Sequence, residues 1–136
     1  MAPVIVLRGS KTAVEYYEAL LAEMEQRVRD GVGAVSEERY RLYWEGMPIW
    51  PKLRELSESF FNLRAVIAAS TYCNSWAFEE YDGGDPLWWM AKTATEIFIN
   101  RDEATKQSFL VEMFRQFDID GAIFHNARTC PNNTNS

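Results

Sequence analysis

Apolar and polar positions change period several times along the chain, and the changes divide it into elements. Residues 3–8 are apolar and rich in β-branched side chains, which predicts a short strand or an extended lead-in. Val14, Tyr17, Leu20, Leu21, Met24 and Val28 then recur at the spacing of one helical face. Glu15, Glu18, Glu23, Glu25, Arg27 and Arg29 fill the other face. Gly31 and Gly33 end this helix. The aromatic run at residues 40–44 predicts a strand, and Gly46 and Pro48 form the turn after it. Ile49, Leu53, Leu56, Phe60 and Leu63 return to helical spacing. Pro51 sits near the start of that helix, where a missing N–H is tolerated.

Residues 65–69 (AVIAA) form a continuous apolar run, as in a strand buried on both faces. Strand, helix and strand in that order imply a crossover and parallel pairing. Residues 73–84 read as a loop. Asp85 can cap the next helix and Pro86 can open it, with Leu87, Met90, Ala94, Ile97 and Phe98 as its apolar face. Asp102 can cap a further helix through Phe109, Leu110, Met113, Phe114 and Phe117. Residues 121–125 (GAIFH) read as a third strand. The expected class is therefore α/β, a small parallel sheet between helices. Residues 1–35 are a lead-in with a linking helix, and residues 36–136 form the domain.

Composition narrows the functions. The formal net charge is −6, and the basic residues are scattered, so nothing favours nucleic acid or an anionic membrane. The apolar start is too short for a signal peptide or a membrane span. Two cysteines, Cys73 and Cys130, are no disulfide framework, and the chain reads as cytoplasmic with reduced thiols.

In open parallel sheets, ligands bind beyond the carboxyl ends of the strands. Three segments answer that description: residues 45–50, 71–76 and 126–133. They hold or adjoin both cysteines and the single histidine. Cys130 precedes Pro131 on a polar loop, where a thiolate can ligate soft iron, or it is a free cysteine without a CxxC partner. Cys73, after an apolar strand, reads as a buried free cysteine. His125 reads as a hydrogen-bonded structural residue before a ligand or base. Zinc on Cys73, His125 and Cys130 would lack a fourth ligand and a recognised spacing. Glu45 is a general acid or base, or a solvated loop carboxylate. Trp88 and Trp89 can line a flat pocket, although on a helix at least one belongs to the core. Common nucleotide-binding, nucleophile-elbow and zinc-protease motifs are absent from the sequence.

Four segments carry more than periodicity: residues 41–50 (RLYWEGMPIW), 70–78 (STYCNSWAF), 94–101 (ATEIFINR) and 120–133 (DGAIFHNARTCPNN). Together they resemble the 2-hydroxyacyl-CoA dehydratase/benzoyl-CoA reductase family, most closely a cluster-bearing subunit of the ATP-dependent reductases. The resemblance implies a flavodoxin-like, three-layer α/β/α fold. It implies a [4Fe–4S] cluster held by three cysteines, with Cys130 matching the middle ligand and Cys73 matching none. It places the loop Glu45, Gly46, Met47 and Pro48 beside the acyl-CoA pocket. It also implies a homologous second catalytic subunit and an ATP-hydrolysing iron–sulfur activator as partners. The family subunits are about three times longer, so the chain is expected to be an internal piece, incomplete at its C-terminus and inactive alone. The implied activity is reduction of an aryl-CoA ring; the alternatives are (R)-2-hydroxyacyl-CoA dehydration and, in another class, a non-catalytic flavodoxin-like binding module.

Overall fold

A computed structural model describes residues 5–75 and 77–127. Helix α1 spans Lys11–Arg29, and the Ser10 side chain caps it by accepting from the Ala13 N–H. Gly31 follows at φ +67°, the left-handed turn that ends the helix. Ile5 and Val6 are helical, which corrects the expectation of a strand at residues 3–8 for the part described. Their β-branched chains find no sheet neighbour, and β-propensity without one decides little. Helix α1 buries only Ala13, and Val14, Leu21, Met24 and Val28 face outward.

Strand β1 (Tyr40–Glu45) is followed by a 3₁₀ turn at Trp50–Lys52 and helix α2 (Leu53–Asn62). Strand β2 (Ala65–Ser70) runs directly into a short helical turn, α3 (Thr71–Asn74). Helix α4 spans Pro86–Thr95, with Asp85 accepting from the Leu87 N–H. Helix α5 (Glu103–Gln116) is capped by Asp102, which accepts from the Thr105 N–H. Strand β3 (Gly121–Phe124) closes the described chain.

The strands form one parallel sheet in the order β2-β1-β3, with β1 in the centre. Side chains alternate across β1, so Tyr43 and Glu45 share one face and Trp44 takes the other. On the first face Tyr43 and Ala69 pack against Met113, with Phe109, Phe114 and Phe117 around them. On the second face Trp44 and Ile67 look across to Leu53, Leu56 and Phe60 of α2. Helices thus cover both faces, the three-layer arrangement expected of a small flavodoxin-like unit. Leu42 is opposite Ile67 but Tyr43 is opposite Ala69, so β2 carries one extra residue, Ala68. That bulge resets the alternation and brings Ser70 onto the Trp44 face.

Several local expectations are corrected. The segment after β2 begins as a helical turn rather than a loop, and Cys73 on it is exposed rather than buried. β2 buries only Ala65 and Ala69, because it is an outer strand of the described sheet. In α4 the predicted face is turned outward, with Leu87, Met90 and Ala94 exposed. Thr93 is buried and Trp89 half-buried instead, because Trp89 meets Tyr81 edge-on.

Candidate functional site at the carboxyl edge of the sheet

From β1 the chain crosses to β2 on one side and returns to β3 on the other. The carboxyl ends of β1 and β3 therefore flank a topological switch point, the place where such sheets open a crevice. The segments after these two strands are joined there. The His125 backbone N–H donates to the Glu45 carbonyl at 3.0 Å. The His125 Nδ1 lies 2.6 Å from the Met47 carbonyl, an acceptor, so Nδ1 carries the proton of that bond. Gly46 sits between them at φ +91°, and a Cβ there would stand 2.8 Å from the His125 carbonyl oxygen. Only glycine meets both demands, an unusual backbone angle and a backbone in contact.

Beneath this seam lies a buried polar cluster. Tyr43 is fully buried, Glu45 is 1% exposed and Thr71 2% exposed. The Tyr43 hydroxyl donates to Glu45 Oε2, and the Thr71 hydroxyl donates to the same oxygen at 2.6 Å. The two hydroxyl oxygens are 3.2 Å apart. Donors of this kind replace the water that a carboxylate loses on burial. Burial raises the Tyr43 pKa well above its ordinary value, and the Glu45 bond and charge push it the same way. The cluster ties the end of β1 to the start of α3 and keeps the phenol protonated. Glu45 is thus neither a loop residue nor a solvated carboxylate: it ends β1, and its side chain is closed to solvent.

Two cavities adjoin the edge. One of about 120 Å³ has Thr71, Ser75, Phe78, Thr93 and Arg101 in its wall. The other, about 200 Å³, is an apolar slot between α2 and the sheet. Trp44, Pro48, Ile49, Leu56, Phe60 and Ile67 line it, and Ser70 and Cys73 reach its rim. Trp44 is nine-tenths buried, and its Nε1–H has no hydrogen-bond partner among the described residues.

The expected site residues separate. Glu45, Gly46, Met47, Pro48 and His125 come together at the edge, with Cys73 nearby on α3. Cys130 and the end of the segment carrying it lie outside the described residues. Trp88 is exposed and Trp89 half-buried on α4, lining neither of these two cavities. Among the described residues no group of three or more His, Cys, Asp or Glu side chains can hold a metal ion. The buried cluster offers hard oxygens rather than the thiolates an iron–sulfur cluster takes. The described residues therefore do not by themselves fit such a group.

Tyr43 and Thr71 were not singled out by sequence. The signal was present: alternation puts Tyr43 on the Glu45 face, and Thr71 follows the neighbouring strand one step beyond Ser70, the register partner of Trp44.

The geometry is that of an α/β domain with joined loops at the switch point of its carboxyl edge. The chain belongs to the family described as 2-hydroxyglutaryl-CoA dehydratase, D-component, which matches residues 1–136. It is 32% identical to a benzoyl-CoA reductase subunit of Thauera aromatica, over 90% of this chain and 31% of that one. It is 29% identical to the alpha subunit of lactoyl-CoA dehydratase of Anaerotignum propionicum, over 96% of this chain and 31% of the relative. It is 28% identical to the alpha subunit of (R)-2-hydroxyglutaryl-CoA dehydratase of Acidaminococcus fermentans, over 96% and 27%. The chain thus spans about a third of the length of these relatives. No described helix is long and apolar enough to cross a membrane.

Proposed function

We propose that the chain is part of a catalytic subunit that reduces the aromatic ring of an aryl-CoA thioester. The observation that carries this reading is the joined seam of Glu45, Gly46, Met47 and His125 at the switch point, in a chain similar over most of its length to a benzoyl-CoA reductase subunit. In this reading residues 45–48 border the acyl-CoA, and Gly46 and His125 fix the path of the segment that leads to Cys130. Cys130 is one thiolate ligand of a [4Fe–4S] cluster, and the other ligands lie outside this sequence. The cluster would supply low-potential electrons, delivered by an ATP-hydrolysing iron–sulfur activator. A homologous second catalytic subunit completes the enzyme, which works in the cytoplasm.

The second reading is a 2-hydroxyacyl-CoA dehydratase subunit. It is favoured by the dehydratase subunits among the relatives at nearly the same identity. The experiment is anaerobic reconstitution of the full-length subunit with its partner, read by iron content and EPR, with Cys130→Ala alongside. Wild type should take up a cluster that Cys130→Ala loses or holds weakly. Equal iron in both would remove Cys130 from the ligand set, and no cluster in either would leave the binding-module reading. Turnover of benzoyl-CoA against a 2-hydroxyacyl-CoA then separates reductase from dehydratase.

A further inference from the structure

Helix α1 is long for what it buries. Its 19 residues run about 28 Å, yet Ala13 is the only one of them fully buried. Most helical stability in proteins comes from packing one apolar face rather than from propensity. α1 has such a face. Val14, Tyr17, Leu21, Met24 and Val28 follow one another at alternating steps of three and four residues, the repeat of a two-helix seam. Leu21 is 60% exposed and Val28 80%. The body of the domain does not close over this seam. An open groove of about 530 Å³ separates Val14, Tyr17 and Leu21 from Phe78 and Trp89. Apolar residues scattered singly on a surface need no explanation, but a continuous stripe beside an apolar groove marks an interaction surface.

The margins of the seam carry the charge. On the inner margin Ala13 is buried and Leu20 half-buried against the domain. The outer margin is formed by Glu18 and Glu25, both exposed. Glu79 stands in the opposite wall of the groove. The nearby cations are engaged locally. Arg8 lies over the Phe78 ring at 4.4 Å, Lys92 is 3.1 Å from Glu79, and Arg29 is 3.8 Å from Glu25.

We infer that α1 docks an amphipathic helix of a second polypeptide, one whose apolar heptad stripe is flanked by Lys or Arg. The stripe from Val14 to Val28 spans about 21 Å, which gives such a helix roughly two heptads of contact. A second copy of this chain fits poorly. With two α1 helices antiparallel, Glu18 of one copy would face Glu25 of the other. With them parallel, Glu25 would meet Leu20 and gain no cation. Two chains of net charge −6 also repel. A helix with basic flanks turns the same contacts into attractions. The inference goes beyond the aryl-CoA reading and does not depend on it.

The test uses two three-heptad peptides with one apolar core, carrying Lys at the flanking positions in one and Glu in the other. Each is labelled with a fluorophore and titrated with the 136-residue chain at low salt, read by anisotropy. The Lys peptide should bind about five- to thirtyfold tighter than the Glu peptide, and salt should narrow the gap. Leu21→Glu should abolish binding. Glu18→Lys with Glu25→Lys should reverse the preference. All three positions are exposed, and far-UV circular dichroism checks that each variant keeps its helices. No binding of either peptide at millimolar concentration overturns the inference. So does equal binding of both, or a preference that survives the charge reversal. The source of the helix is read in the full-length subunit with Leu21→Cys and a maleimide, mapped by peptide mass spectrometry. The introduced thiol should react in the isolated subunit and be protected once the Lys peptide is bound. Protection in the isolated subunit would assign the covering helix to the same polypeptide, and a dimer lost in Leu21→Glu would assign it to a second copy. Either result overturns the claim of a separate partner.

Discussion

Replacing Gly46 by alanine should be among the most damaging single-methyl changes in the chain. At φ +91° a side chain is strained wherever it stands, at roughly 1–2 kcal/mol. Here the new Cβ also meets the His125 carbonyl oxygen at 2.8 Å, inside any normal contact. The obstacle is backbone, so relief requires moving β3's exit. That shift weakens the 3.0 Å bond from the His125 N–H to Glu45 and the 2.6 Å bond to Met47, each worth about 0.5–1.5 kcal/mol. The expected loss is about 2–5 kcal/mol, a large share of the ~5–15 kcal/mol that holds a typical domain together. Gly31→Ala is the control. Its φ is +67°, but nothing lies within 4 Å of the added atom, so it incurs only the conformational cost. Urea unfolding followed by circular dichroism measures both. With a slope of about 1–3 kcal/mol per molar, Gly46→Ala should lower the midpoint by roughly 1 M or more beyond Gly31→Ala. Equal shifts for the two variants would refute the argument that the seam with His125 is closed by contact.

Further outcomes follow from the buried cluster and the core. Tyr43 is an acid whose folded pKa is raised, so its contribution is complete below the ordinary value of 10.0 and is lost as pH climbs above it. Stability should fall on the alkaline side of pH 10 in the wild type and fall less steeply in Tyr43→Phe, measured by thermal melts across about pH 8 to 11.5. Glu45→Ala leaves the Tyr43 and Thr71 hydroxyls buried without their shared acceptor, which should cost about 1–3 kcal/mol or more in denaturant unfolding. Met113→Ala opens a hole at the 3% exposed centre of the core and should cost about 2–5 kcal/mol in the same assay.

Much of the frame was legible in the sequence because it depends on periodicity and punctuation. The caps at Asp85 and Asp102, the strands at Tyr40 and Ala65 and the parallel order all follow from local signals that the tertiary structure does not oppose. What was misread depends on neighbours. Residues 5–6 look like a strand, but strand formation needs a partner that no local pattern supplies. Cys73 looks buried because it follows an apolar strand, yet the helical turn at Thr71 rotates it outward. Glu45 was named for the right place and the wrong environment. Its burial is compensated by two hydroxyls, one on its own strand and one 26 residues away, and only folding brings the second to it. The edge of the sheet could be located from order alone, whereas the slot against α2 could not, since it is a gap between elements rather than a property of either.

The extra residue in β2 has a consequence for how the family can vary in length. Ala68 has no register partner on β1, and the bulge absorbs it so that Ala69 and Ser70 keep their places opposite Tyr43 and Trp44. Deleting it would restore simple alternation and leave Ser70 and Thr71 on the faces they already occupy. The hydroxyl of Thr71 would stay with the Glu45 carboxylate, and the apolar slot would keep its rim. A second codon lost from this strand would have no such slack, and it would alter a buried polar cluster and a cavity on opposite sides of the sheet at once. Ala68 is thus the one place in β2 where chain length can change by a residue while the chemistry on both faces is kept.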